Sequence, residues 1–109
     1  MVAILRYPQQ KRMSKVTEIL SGNTIRLSSS WEWGGSKGNT IIIDGYDLNK
    51  SSFPEGVAEP FAKQRLISIL QGKEISLHTP ASLVNGILKC RVFLDGVDIT
   101  QYFPEFQKG

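Results

Sequence analysis

The sequence predicts a mainly β protein: five strands closed into a barrel, with one helix between strands three and four and a short closing helix. Three observations lead there. Thr24 to Ser28 and Ile87 to Leu94 alternate apolar and polar residues, the period-two pattern of half-buried strands. Thr40-Ile-Ile-Ile43 is a continuous β-branched run, as expected of a central strand. Helical spacing is clear in one long stretch, where Ala62, Leu66, Ile69 and Leu70 share a face.

Taken in order, residues 1–14 form an N-terminal strand or arm and residues 15–109 a single domain. Val2 to Tyr7 reads as a short strand stopped by Pro8. Gln9 to Arg12 is a basic connector, read either as a solvated linker or as an arm that touches phosphate. Val16 to Leu20 and Thr24 to Ser28 form a hairpin across Gly22-Asn23, two residues that tolerate positive φ. Ser28 to Asn39 is read as a loop, because its serines and glycines carry no periodicity. It holds the only two tryptophans, Trp31 and Trp33. They either stack on bases or a partner, with Lys37 beside them, or fold back to cap the barrel.

After Thr40–Ile43, Asp44-Gly45 breaks the strand and Asn49 to Glu55 is a polar loop. Pro60 suits a first helical turn, and Gly72 sits where a left-handed C-terminal cap belongs. Lys63 and Arg65 are expected in water. Glu74 to His78 is the fourth strand, Thr79 to Gly86 a loop, and Ile87 to Leu94 the fifth strand, with Lys89, Arg91 and Phe93 facing outward. Val97 to Phe106 carries Ile99, Tyr102, Phe103 and Phe106 at the spacing of a short closing helix, interrupted at Pro104. The order β-β-β-α-β-β-α is the plan of an OB-fold barrel.

Composition bounds the function. The chain of 109 residues is 40% hydrophobic and 21% charged, with a net charge of +3 and a pI of about 9.2. The basic excess is compatible with a polyanionic partner without requiring one. No apolar run reaches the roughly 20 residues that a membrane helix needs, so no membrane partner is expected. One cysteine, Cys90, excludes an internal disulfide and a cysteine-built metal site. The first residues lack the pattern of an export signal, so a cytoplasmic location is the expectation.

Several short pieces occur in a specific order: Val16-x-x-Ile19-x-x-Gly22-x-Thr24, Ile41-Ile-Ile-Asp-Gly-Tyr-Asp47, the Ala62/Leu66/Leu70 helix ending in Gly72-Lys73, Asn85-Gly86, and Phe93-Leu-Asp-Gly-Val-Asp98. With that order the chain resembles the staphylococcal nuclease family from Val16 to Phe106. The resemblance implies an OB barrel and marks where catalytic groups of active members would fall. Of the two aspartates that hold calcium there, one falls on Asn23 and the other survives as Asp47. Calcium affinity follows the number of carboxylates, so no metal or other cofactor is expected, with Asp47 the one retained candidate ligand. The two phosphate-clamping arginines fall on Ile42 and Ile87, which offer no charged fork. The glutamate that activates water falls on Lys50, which cannot accept that proton at neutral pH.

The resemblance therefore implies a catalytically degenerate member. Glu55, Glu59 and Asp44 are nearby carboxylates that could compensate, and no role is assigned to His78. The expected function is a non-catalytic module that binds single-stranded DNA or RNA through Arg26, Trp31, Trp33, Lys37, Lys50, Lys89 and Arg91. The alternative is a protein-interaction or homo-oligomeric module, with Ile42 and Ile87 making the old pocket apolar and Trp31, Trp33, Tyr102 and Phe103 exposed for docking. A weak calcium-dependent nuclease is the enzymatic alternative.

Overall fold

A computed structural model of the chain describes residues 13–48, 54 and 56–106. The expected strand-like segment Val2–Tyr7, the connector Gln9–Arg12, and the site residues Lys50 and Glu55 lie outside the described residues. The strands are β1 (Ser14–Ser21), β2 (Thr24–Trp33), β3 (Ser36–Ile43), β4 (Glu74–Val84), β5 (Ile87–Leu94) and the two-residue β6 (Val97–Asp98), with helix α1 (Ala58–Leu70) between β3 and β4. β1 therefore begins at Ser14, at the edge of the segment assigned to the N-terminal arm.

Neighbouring strands run β3-β2-β1-β4-β5, and a parallel β3–β5 seam at Ile41–Leu88, Ile42–Lys89 and Ile43–Cys90 closes the ring. The result is a mainly β protein with a closed five-stranded barrel and one helix, as the strand pattern predicts. Val16, Ile25, Leu27, Ile41, Ile43, Ile75, Leu88, Cys90 and Val92 fill the barrel. Each comes from the apolar phase of an alternating strand, which points every second side chain inward. Ala62, Leu66 and Leu70 of α1 close one end. The Gly72 N–H donates to Val16 O and the Val16 N–H to Lys73 O, each at 2.9 Å, so the end of the helix is tied to β1.

Four expectations are corrected. The stretch Ser28–Asn39 is not a loop but the outer part of a β2–β3 hairpin turning at Gly34-Gly35. Thr79–Val84 is likewise strand, part of a β4–β5 hairpin turning at Asn85-Gly86. Both turns, and Asp95-Gly96 between β5 and β6, have positive φ at both central residues. That geometry matches the twist of the flanking strands, so low-propensity residues are carried into the sheet by their turns. The third correction is the closing helix. Its place is taken by β6 and two 3-10 turns, Ile99–Tyr102 and Pro104–Phe106. Asp98 starts the first turn by accepting from the Thr100 N–H at 2.9 Å, and Pro104 stops it from lengthening.

The fourth concerns the β1–β2 turn. Neither Gly22 nor Asn23 has positive φ. Gly22 is needed for space: a Cβ there would lie 2.9 Å from both Glu59 O and Leu48 Cδ1 and 3.1 Å from Ala62 Cβ. The turn is pressed against the start of α1.

The C-terminal turns are held by an aromatic and ionic clamp. Phe103 stacks parallel on Tyr46 at 4.6 Å, and Phe106 lies against both rings. Arg65, expected in water, instead makes a bidentate pair with Glu105 at 2.7 and 2.8 Å and donates to Tyr102 O at 2.8 Å. Its guanidinium also lies 4.5 Å from the Phe61 ring centroid.

The hydrogen bonds from Arg65 hold Glu105 down at about 2, against an ordinary 4.5. A depressed carboxyl stabilises the fold above the unfolded value, and that contribution is lost as pH falls from about 4.5 towards 2. The Glu105 side chain is 35% exposed, so solvent screening limits the effect to about 1 kcal/mol. Urea midpoints of wild type and Glu105→Gln measured against pH should therefore converge below pH 4. A gap of constant size across that range would show that the pair contributes nothing through its charge.

Candidate nucleic-acid interface

Of the described side chains marked by the resemblance, Asn23 and Ile42 adjoin across the β2–β3 pairing, Ile87 lies on β5 and Asp47 beside the C-terminal turns, and none of them carries a positive charge. Asn23 is turned into its own turn: its Oδ1 accepts from Ser21 Oγ at 3.1 Å and from Thr24 Oγ1 at 3.0 Å. Its backbone O accepts from the Ile43 N–H at 2.8 Å. Tyr46 Oη donates to Gly22 O at 2.6 Å, and burial pushes the Tyr46 phenol well above its ordinary value. Glu59 does not swing toward Asp47 as a substitute ligand. Its Oε2 accepts from the Gly22 N–H at 2.5 Å, making it a strut between α1 and the turn. The Asp47 N–H donates to Phe106 O at 2.8 Å. Among the described residues, no group of three or more histidine, cysteine, aspartate or glutamate side chains could hold a metal ion.

Ile42 and Ile87 sit on the outer face of the seam and are half-buried rather than sealed. The register sets Ile42 beside Thr24 on β2 and Lys89 on β5, while Ile87 faces Val84 on β4. Val84 is 39% exposed. Ile42 and Ile87 are the positions that the resemblance marks for phosphate clamps, and Val84 adds a third apolar side chain beside Ile87.

The described residues expected to contact nucleic acid separate into four groups. Trp31 is buried, with its ring on Gly38 and its Nε1 donating to Thr40 O at 2.9 Å. Six residues of β2 (Arg26 to Trp31) lie opposite three of β3 (Thr40 to Gly38), and this bulge lets the indole reach inward. Arg26 is exposed but paired with Glu18 at 2.6 Å. Trp33 and Lys37 lie together at the hairpin tip, where Glu32 to Lys37 line a shallow recess. Phe103, expected to be exposed, is fully buried, whereas Tyr102 is 39% exposed.

Lys89 and Arg91 project outward from β5 as the alternation requires. Phe93 continues their row, and His78 stands opposite Arg91 on β4. The His78 and Phe93 rings are 4.4 Å apart, and Ser76 Oγ lies 3.0 Å from His78 Nε2. Sequence reasoning missed His78 as a member of this face, although its outward phase on β4 was the available signal. Carboxylates complete the group. Arg91 pairs with Asp98 at 2.9 Å, and Asp44 lies 4.0 Å from Lys89 Nζ and 3.9 Å from Arg91 Nε. Asp98 is fixed in turn by Thr100, whose N–H and Oγ1 both donate to it at 2.9 Å.

Electrostatically the described barrel is nearly neutral, with eight Lys/Arg and nine Asp/Glu. Five of the thirteen basic residues (Arg6, Lys11, Arg12, Lys50 and Lys108) belong to segments outside the described residues. Cys90 lies beneath the face in the core, and burial pushes its thiol up to about 12, which leaves it unreactive. No helix among the described residues is long and apolar enough to cross a membrane.

Fold and face together define a closed OB-like barrel carrying a basic and aromatic row outside β4 and β5. No protein-family model matches this chain, and none of the curated proteins compared with it matches either.

Proposed function

We propose that the chain is a non-catalytic barrel of the staphylococcal-nuclease type that binds single-stranded nucleic acid across the outer face of β4 and β5. The observation that carries this reading is the row Lys89, Arg91 and Phe93 with the His78 ring tilted against Phe93. Single-strand binders combine cations for the backbone with aromatic faces for the bases. The non-catalytic part rests on the side chains at the marked positions. Asn23 serves its turn, Ile42 and Ile87 are uncharged, and Glu59 is occupied by the Gly22 amide. A cytoplasmic setting, with an unpaired buried cysteine, goes with this reading.

The test is anisotropy of a labelled single-stranded oligonucleotide across a salt series. Binding is expected with a shallow salt slope of about one to two phosphate contacts, because few cations face outward. Lys89→Gln should weaken it and lower the slope by about 0.7. Absence of binding even at low salt removes the reading. In the same samples the oligonucleotide should stay intact with calcium. Chelator-sensitive cleavage that disappears in Asp47→Ala would establish a nuclease instead.

A second reading, a protein-docking or homo-oligomeric barrel, is favoured by one observation: Ile42, Ile87 and Val84 form an apolar outer patch beside neutralised charges. It predicts concentration-dependent association and no oligonucleotide binding.

A further inference from the structure

We infer that the exposed imidazole of His78 is a stacking platform for one unpaired nucleobase, so that the face selects bases of a single strand rather than backbone charge. The inference rests on the nucleic-acid reading of this face and adds what the face recognises. His78 stands directly opposite Arg91, yet its ring leans away from that partner toward the Ser76–Phe93 pair. It lies 4.4 Å from the Phe93 ring at an interplanar angle of 51°, and its Nε2 is 3.0 Å from Ser76 Oγ. Diagonal neighbours on one sheet face are within reach of aromatic side chains, so the lean is sterically ordinary. Both contacts come from the same pair and hold the ring in place. A ring already fixed loses less freedom when a ligand settles on it.

Exposure decides which ring is offered. Phe93 is half-buried and His78 exposed, so the imidazole is the outer of the two rings. Charge gives the other half of the argument. Each cation of the row has a carboxylate beside it: Arg91 pairs with Asp98 at 2.9 Å, and Asp44 lies 4.0 Å from Lys89 Nζ. Cations matched in this way attract a phosphate weakly, which leaves the face little hold on a backbone alone. Stacking is not weakened by that neutralisation, and it accepts any base because every base has a π-face. In a duplex the bases are already paired and stacked, so only an unpaired base can use the ring. One imidazole takes one base, and Arg91 across from it on β5 meets the neighbouring phosphate.

Anisotropy with two labelled strands of equal length, oligo(dT) and a stable abasic strand with the same phosphates, tests the inference. Wild type should bind oligo(dT) about tenfold tighter than the abasic strand at low salt, the effect of stacking one base. His78→Ala should bring the two affinities to within about twofold of each other. His78→Phe keeps an aromatic face and should retain most of the preference. Equal binding of both strands by wild type overturns the inference and leaves the nucleic-acid reading standing, and this measurement does not depend on any variant's folding. A preference that survives in His78→Ala, or that is lost equally in His78→Phe, also overturns it. The matching duplex should bind more weakly than oligo(dT), and a duplex bound as tightly overturns the selection of unpaired bases. No binding of either strand by wild type at low salt removes both readings.

Discussion

Replacing Trp31 with alanine is expected to destabilise the fold by about 3 to 5 kcal/mol, the usual cost of emptying a large buried aromatic site. The indole is 6% exposed, its ring lies on Gly38, and its N–H satisfies Thr40 O across the hairpin. Deletion opens a void and strips a carbonyl of its donor, two separate penalties. The same change at Trp33 removes a half-buried ring at the hairpin tip and should cost about 1 kcal/mol or less. Urea unfolding followed by far-UV circular dichroism separates them without relying on tryptophan emission. Equal losses at the two positions would show that both rings carry the hairpin. The contrast also separates the two roles open to the tryptophans in the sequence: Trp31 packs the fold and Trp33 remains available to a ligand.

Gly45→Ala is the second large effect, with an expected loss of roughly 3 kcal/mol or more. The residue has φ +115°, outside the small left-handed region where an L side chain can sit. An added Cβ would collide with Thr100 Cγ2 and lie 2.9 Å from Arg91 Nη1. Neither neighbour can yield easily, because Thr100 and Arg91 are both hydrogen-bonded to Asp98. Gly34→Ala gives the control: it also has positive φ but meets nothing within 4 Å, so its cost should stay near 1 kcal/mol. A thermal melt of each variant checks the pair. Similar melting points would mean that the corner relaxes around the new methyl.

These residues show how far the sequence could be read. The inward phases of β2, β3 and β5 and the buried face of α1 follow from local periodicity, and each proved to be core. The hairpin from Ser28 to Asn39 was hidden because serine and glycine suppress the strand signal. What makes it a strand is the twist of its Gly34-Gly35 turn and an indole that folds inward only through a bulge. Gly22-Asn23 was legible as a turn but for another reason, since its glycine is required by the proximity of α1.

At the candidate site, Lys89, Arg91 and Phe93 were legible from alternation along β5. Their carboxylate partners were not, because Asp44 and Asp98 reach Lys89 and Arg91 through the seam and the β6 turn. The Glu59 strut and the Arg65–Glu105 clamp join positions 37 and 40 residues apart and leave no local pattern.

The parallel seam is short and joins distant parts of the chain. Three residues of β3 meet three of β5, with α1 and all of β4 in between. The antiparallel hairpins on either side are local, whereas the seam forms only after a long loop has closed, at an entropic cost not recovered until its contacts are made. Folding is therefore expected to have its slow step at closure, on roughly the millisecond-to-second scale of non-local β topologies. Until that step, Ile42 and Asp44 are remote from Lys89 and Arg91. The face on which these charges meet comes into existence at the end of folding, not along the way.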